Sequence, residues 1–469
     1  MIKRFTAILC ILSLLFLPCA ARAGIFGEFG LKEEMEMGRE FEVMVKSSLP
    51  VIEDPEIRNY IQNIVRKIVQ KLPPQPYKFP ASVILHDSLN AFASPGGFVF
   101  VFSGLVMHLR HESELAAVLC HEVAHVTQRH IAGRVERGRM ISAASLLGVL
   151  AGVAAGMAGG GNAGSAAVVG AMAAGSSAML KYSRVDEDDA DRFGLQYLVR
   201  AGYNPKGMQG AFEILKKQDW SRAGAIPTYL MTHPDLDTRL TSIRADLQAM
   251  PAAVLKRGED DRRFLRIQAL LWARHGDPGE AMQFFSKKNA GDPLTLMGKG
   301  MISARQNKVH EAEQFFRQAV SLAKGDSLIL REAGIFEYSK GNAQRARNYL
   351  EQALKADDRD YYGKFFYARL LDDIGDRASA QQLYREVLRY VPEDSEVHEN
   401  YGRSLGISGS ACLGYVHLAY ASLFSGNMQK AKSMRERAAK IAATHEEKNR
   451  LAQYDAKASE RAKILKKIH

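Results

Sequence analysis

The chain has 469 residues, 46% of them hydrophobic and 25% charged, with a formal net charge of +11. That length is more than one ordinary hydrophobic core organises, so two domains with terminal additions are expected. The composition is that of a globular protein, and the basic excess is moderate and spread out, which speaks against nucleic acid as a partner and leaves an acidic partner or a peripheral contact with anionic lipid open.

Residues 1–23 carry Lys3 and Arg4, an apolar run at 8–17, Pro18, and then Ala21-Arg22-Ala23 before Gly24. This is the pattern of a secretory signal peptide with a small-x-small cleavage site. A lipoprotein reading at Cys19 is weaker, because Pro18 stands where a small residue should precede a modified cysteine. Cleavage removes Lys3, Arg4 and Arg22, which lowers the charge from +11 to +8. Cys120 and Cys412 remain, too few for a disulfide framework, and the apolar helical setting of Cys120 suggests a buried free thiol.

"EEMEMGREFEVMVKSS" and "IRNYIQNIVRKIVQKL" place apolar residues at helical spacing up to the break at Pro73-Pro74. The period then becomes two in "ASVILHD" and "GFVFVFSG", which predicts a small sheet of two strands joined through "SLNAFASPGG". A long helix is predicted from an N-cap at Ser113 toward Arg139. Residues 141–180 hold no charge and are dominated by Ala and Gly. Their glycines and the polar "GGGNAGS" favour a lid or an interfacial pair of short helices over a membrane hairpin.

The C-terminal half repeats. Ala312, Ala346 and Ala380 are 34 residues apart, each after a turn signal, and Ala319, Ala353 and Val387 follow seven residues later. This is the period of tetratricopeptide helix pairs, with small residues where two helices approach closely. Weaker copies stand at Ala281 and Ala431. Lys288 replaces the expected small residue of the first unit, and the 51-residue displacement of Ala431 suggests that "SGSACLG" interrupts the stack. The expected units are a signal at 1–23, an α+β domain at 24–255, mostly helical with a small sheet, all-α repeats forming a solenoid at 260–445 and a basic terminal helix at 446–469.

The chemistry lies in "CHEVAHVTQRH", residues 120–130. His121 and His125 are four apart on a helix, so their imidazoles lie on one face and can converge on one ion. Glu122 stands beside them as the general base for a water that zinc would activate. An alternative reading is two solvated histidines, but the flanking "ELAAVLC" is apolar. In the longer HExxHxxGxxH pattern a glycine and a third histidine follow, yet here Gln128 and Ile131 hold those positions. His130 is one residue out of register and is read as a surface group or a support behind a ligand. A third ligand is expected past the uncharged stretch, in "SRVDEDDADRFGLQYL", where Glu187 and Asp191 share a helix face. Glu187 can ligate, and Asp191 can accept a hydrogen bond from a ligand imidazole. An acidic helix start explains Asp186, Asp188 and Asp189 equally well.

"HEVAH", "SRVDEDDADRFG" and "NAFASPGG" resemble the zinc endopeptidase family of the CAAX prenyl proteases, HtpX and Oma-type enzymes, which use HExxH followed by ExxxD. With an exported N-terminus and repeats behind the peptidase domain, the arrangement is most similar to the periplasmic members of that family that combine protease and chaperone roles. The resemblance implies an α+β zincin-like peptidase domain at 24–255 and one zinc ion per chain, held by His121, His125 and Glu187, with Glu122 as base and Asp191 behind the ligands. It further implies that Gly97, Phe98, Val99 and Phe100 form an edge to which unfolded substrate adds as a strand. "THPDLDTRL" resembles the segment from which a histidine approaches the metal, here His233 as fourth ligand or switch, with Arg239 orienting the carboxylates. A loop histidine held by Pro234 is the other reading. The implied partners are unfolded or misassembled envelope proteins and the outer-membrane assembly machinery. Two rival readings are a repeat-based binding protein with a shut or structural zinc site, and a membrane-embedded peptidase anchored by 141–180.

Overall fold

The computed structural model describes residues 30–136, 182–219, 229 and 233–468. The expected signal at 1–23 and the expected lid or interfacial segment at 141–180 lie outside the described residues. The N-terminal domain opens with helices α1 (Leu31–Ser48) and α2 (Pro55–Val69). Helix α2 starts where Asp54 accepts a hydrogen bond from the Glu56 amide and Pro55 fills the first turn, and it buries Ile57, Ile61, Ile64 and Ile68 along one stripe.

The sheet has three strands, β1 (Ala81–Ile84), β2 (Ala91–Ser94) and β3 (Phe98–Phe102), in the order β1-β3-β2. β1 runs parallel to β3 and β2 antiparallel to it. Alternation sends Val83, Ala91, Ala93, Val99 and Val101 into the main core, while Ile84, Phe100 and Phe102 pack on Phe41, Met44 and Val45 of α1. Both faces are therefore covered by helices. Two expectations need correction. The stretch thought to join two strands contains β2, which was masked by its small residues. Gly97, Phe98, Val99 and Phe100 do not form an edge, because β3 is the central strand. The outer side of β1 is closed by the bonds from the Ile52 amide to the Val83 carbonyl and from the Leu85 amide to the Pro50 carbonyl, which makes β2 the edge beside the histidine helix.

After α3 (Ser103–His108), the histidine helix α4 runs Glu112–Thr127. It starts one residue before Ser113 because Asp261, from the repeat side, accepts the Glu112 amide at 2.8 Å, while the Ser113 hydroxyl donates to Glu259 instead. It does not continue toward Arg139. Arg129 takes a left-handed φ of 54°, the chain turns, and α5 (His130–Glu136) begins. Helices α6 (Arg184–Arg200), α7 (Lys206–Asp219), α8 (Leu236–Gln248) and the single turn α9 (Ala252–Leu255) complete the domain.

The solenoid comprises α10 (Arg262–His275), α11 (Pro278–Ser286), α12 (Pro293–Arg305), α13 (Val309–Leu322), α14 (Ser327–Ser339), α15 (Ala343–Ala356), α16 (Tyr361–Asp373), α17 (Arg377–Tyr390), α18 (Ser395–Ile407), α19 (Ala411–Phe424), α20 (Met428–Ile441) and α21 (His445–Ile468). Ala312, Ala346 and Ala380 are fully buried at the helix crossings. The turns carry the same period: Asn307, Gly341, Gly375 and Gly409 all have positive φ, which glycine adopts without strain. Gly409 lies inside "SGSACLG", so that segment does not interrupt the stack. Gly414 stands 34 residues after Ala380, and a Cβ there would fall 2.8 Å from the Gly402 carbonyl oxygen, closer than a side chain tolerates. The displaced Ala431 belongs to the first helix of the next pair.

Helix α10 fastens the solenoid to the peptidase side. Gln268 donates to the carbonyls of Val106, Met107 and Leu109, and Trp272 donates to that of Met107. Deeper in the joint, Arg274 and Arg331 meet Asp54, Glu56, Glu332 and Asp360. Cys120 and Cys412 are both free and buried.

Candidate active site

Helices α4 and α6 lie against each other at Gly194, where a Cβ would stand 3.1 Å from the His121 backbone. That close approach brings the acidic face of α6 to the histidines of α4. Ser183 caps α6 through a reciprocal pair of bonds with Asp186, so Glu187 and Asp191 point one turn apart into the interface.

His121, His125, Glu187 and His233 are all buried, and one nitrogen or carboxylate oxygen from each lies within 4.8 Å of the others. The Nε2 atoms of His121 and His125 are 3.1 Å apart, and Nδ1 of His233 is 3.2 Å from His121 Nε2 and 3.0 Å from Glu187 Oε1. The Glu187 oxygens are 3.6 and 3.5 Å from the two Nε2 atoms. Four donors at the corners of a zinc tetrahedron with bonds of about 2.0–2.1 Å would be roughly 3.3 Å apart. The donor set therefore fits one zinc ion. His121 Nδ1 faces Asp191 Oδ1 at 2.9 Å, and since a carboxylate only accepts, the proton sits on Nδ1 and leaves a lone pair on Nε2 pointing at the cluster.

His130 is buried, with Nδ1 2.9 Å from His125 Nδ1. Of the two readings made from sequence, support behind a ligand describes it and surface placement does not. The left-handed turn at Arg129, tied to α1 by an ion pair with Glu34, swings it back under His125.

Arg239 on α8 grips Asp191 through Nε and Nη2, both at 2.7 Å, and reaches Glu187 Oε2 through Nη1 at 2.5 Å. Burial works against ionisation of Glu187, but His233 and Arg239 outweigh it and hold its carboxyl well below the usual range. Burial likewise opposes ionisation of Asp191, and Arg239 with His121 keeps it low. Burial pushes His121 and His125 down, so both imidazoles are neutral, the form that ligates a metal.

Glu122 lies beside this group. Its Oε2 accepts the Ala93 amide of β2 at 3.1 Å, while Oε1 lacks a hydrogen-bond partner among the described residues and stands 3.6 Å from His233 Nε2, which also lacks one. Burial raises the carboxyl to about 7 against the pull of His233. A small cleft of about 10 Å³ lies beside Ala93 and His125.

Two residues escaped the sequence reading. Tyr229 stacks on His233 at 4.5 Å and 22°, and Tyr182 stacks on both His125, at 3.7 Å, and His233, at 5.2 Å. Tyr229 is one helical turn before His233 and its carbonyl accepts the His233 amide, a spacing that was visible as "YLMTH". No pattern marks Tyr182.

Residues 52–247 match the model of peptidase family M48, and residues 295–326 and 337–400 match tetratricopeptide repeat models. The chain is 31% identical over 297 residues to the putative beta-barrel assembly-enhancing protease of Vibrio cholerae, covering 62% of this chain and 60% of that protein. It is 29% identical over 327 residues to the beta-barrel assembly-enhancing protease of Escherichia coli strain K12, covering 68% and 66%. The mitochondrial metalloendopeptidase OMA1 of Schizosaccharomyces pombe is 28% identical over 205 residues, 43% of this chain and 56% of that one. The matched region thus spans somewhat under two thirds of the length of these relatives.

Proposed function

We propose that this chain, which belongs to peptidase family M48 through residues 52–247 and carries tetratricopeptide repeats behind them, is an exported zinc endopeptidase acting on unfolded or misassembled envelope proteins. The convergence of His121, His125, Glu187 and His233 beside a carboxyl with one uncommitted oxygen is the observation that supports this best. Zinc, when bound, supplies Lewis-acid polarisation of a peptide carbonyl and acidifies water. His121, His125 and Glu187 would hold it. Asp191 fixes the His121 tautomer, and Arg239 keeps both carboxylates ionised and aimed. The Ala93 amide anchors Glu122 Oε2, so Oε1 is the atom that takes a proton from the attacking water and returns it to the leaving amine. β2, the edge strand beside Glu122, is where an extended substrate adds.

His233, with Nδ1 3.2 Å from His121 Nε2 and 3.0 Å from Glu187 Oε1, would take the fourth position and act as a plug that substrate access displaces. That placement also favours a second reading, a repeat-based chaperone with a shut site. The names of the relatives point to work in beta-barrel assembly, and periplasmic location with the assembly machinery as partner follows from that likeness. Among the described residues no helix is long and apolar enough to cross a membrane. Carbonate washing of membranes tests the anchored alternative, which full extraction would remove.

The decisive experiment incubates the wild-type, Glu122→Gln and His233→Ala proteins with a labelled denatured protein and measures zinc content alongside. Expected are slow cleavage by the wild type, none by Glu122→Gln and faster cleavage by His233→Ala, with zinc near one per chain throughout. Equal cleavage by wild type and Glu122→Gln would refute the mechanism, and no cleavage by any of the three would favour the repeat-based binding reading.

A further inference from the structure

At the far end of the solenoid, α21 returns over α19 and reaches Glu393, between α17 and α18, through Lys457 at 2.6 Å. This encloses a cleft of about 790 Å³ with α17 and α21 as walls and α18 and α19 as floor. The floor is apolar and aromatic, with Tyr401, Leu405 and Val416 buried and Leu413, Tyr420 and Phe424 half-buried. The walls are basic. Arg385 and Arg389 on α17 and Arg450 on α21 are exposed, and none is in ion-pair range of a carboxylate among the described residues. Of the two acidic residues lining the cleft, Glu393 is already held by Lys457, which leaves Glu446 against three arginines. His398 and His417 in the floor are held neutral by burial and add no charge at pH 7.

We propose that this cleft is a docking site for an extended acidic peptide segment. Its carboxylates would pair with arginines from the two walls, and its apolar side chains would lie on the Tyr401 and Tyr420 floor. Unpaired arginines above an apolar floor suit charge-assisted, forked recognition of carboxylates, with the backbone of the peptide spanning between walls. The acidic Glu446 beside the basic walls disfavours a nucleic acid strand. This reading concerns a surface remote from the metal centre and stands whether or not that centre cleaves anything.

The test uses the full chain carrying Glu122→Gln, so that no probe is cut, and fluorescence anisotropy with a labelled octapeptide of alternating Asp and Leu or Phe. A matched peptide with Lys in place of Asp is the second probe. Expected is saturable binding of the acidic peptide that weakens with salt, falls at least tenfold in Arg385→Glu/Arg389→Glu and in Arg450→Glu, and is unchanged in Arg359→Glu, an exposed arginine outside the cleft. All are surface changes that leave the fold intact. The proposal is overturned if the lysine peptide binds as tightly, if the cleft variants bind like the parent, or if the same substitutions instead abolish binding of an anionic vesicle or an oligonucleotide while the peptide does not bind.

Discussion

Replacing Arg331 with methionine should weaken the joint between solenoid and peptidase domain in a way that pH controls. The guanidinium is buried, 2.8 Å from Glu56 of α2, 2.8 Å from Glu332 and 3.1 Å from Asp360. Beside it Arg274 pairs with Asp54 and Glu332, so two cations are shared among four carboxylates drawn from both domains. At an effective dielectric of about 20 each such pair carries roughly 5 kcal/mol of attraction, most of it offset by desolvation. Methionine fills much of the volume but leaves the carboxylates sharing Arg274 alone, and breaking a buried network from one side costs about 3–5 kcal/mol at pH 7. Burial already raises Glu56 even with Arg331 present to lower it. A carboxyl raised in the folded state takes its proton there first, so stability lost as pH rises through its folded pKa returns as pH falls. The deficit should therefore shrink between pH 7 and pH 5. Urea unfolding followed by tryptophan fluorescence at both pH values reads this, with Arg331→Met/Glu56→Gln expected to recover part of the loss. A loss below about 1 kcal/mol at pH 7, or the same loss at both pH values, would refute the coupling.

Asp191→Asn should weaken zinc affinity by about 10- to 100-fold, measured by competition with a chromophoric chelator, because the imidazole partner that orients His121 becomes neutral; unchanged affinity would remove that role. Tyr229→Ala deletes one ring from the stack on His233, and at roughly 0.5–1.5 kcal/mol for such a pair, cleavage should rise about two- to tenfold. In a His233→Ala background the same change should do nothing, and a rise there would mean that Tyr229 acts elsewhere. His398, buried and lowered from 6.5 to about 4, contributes stability that is full above pH 6.5 and is lost as pH falls toward 4. The loss approaches about 3 kcal/mol, less an opposite contribution from Asp394, which is raised to about 6 by burial. Hydrogen exchange of α18 and α19 at pH 7 and pH 5 should show the loosening in the parent and less of it in His398→Phe, where His417, lowered by burial to about 3, still acts with the same sign.

Local chemistry was legible where one helix carries it. His121 and His125 share a face of α4 because of the 3.6-residue period, with Glu122 beside them, and Glu187 and Asp191 share one of α6 for the same reason. The repeats were equally legible, since a 34-residue period in small residues reflects close helix crossings that only Ala or Gly permits. The strand order was not. Ala91–Ser94 is short and carries little β signal of its own, so nothing in the sequence opposed the edge that the resemblance implied for β3, which is the centre.

Sequence by itself determined the two-part architecture, the repeat register through Ala380 and the candidate ligands on α4 and α6, because each depends on periodicity within a few turns of chain. Tertiary structure alone decided how these meet. The left-handed turn at Arg129 returns His130 under His125, the close approach at Gly194 brings Glu187 to the histidines, and Arg239 grips Asp191 across 48 residues of chain. His233 at the fourth corner, stacked on by Tyr182 and Tyr229, depends on three segments closing over one buried point. Pairings at such distances follow from packing and buried charge, and neither leaves a period in the sequence.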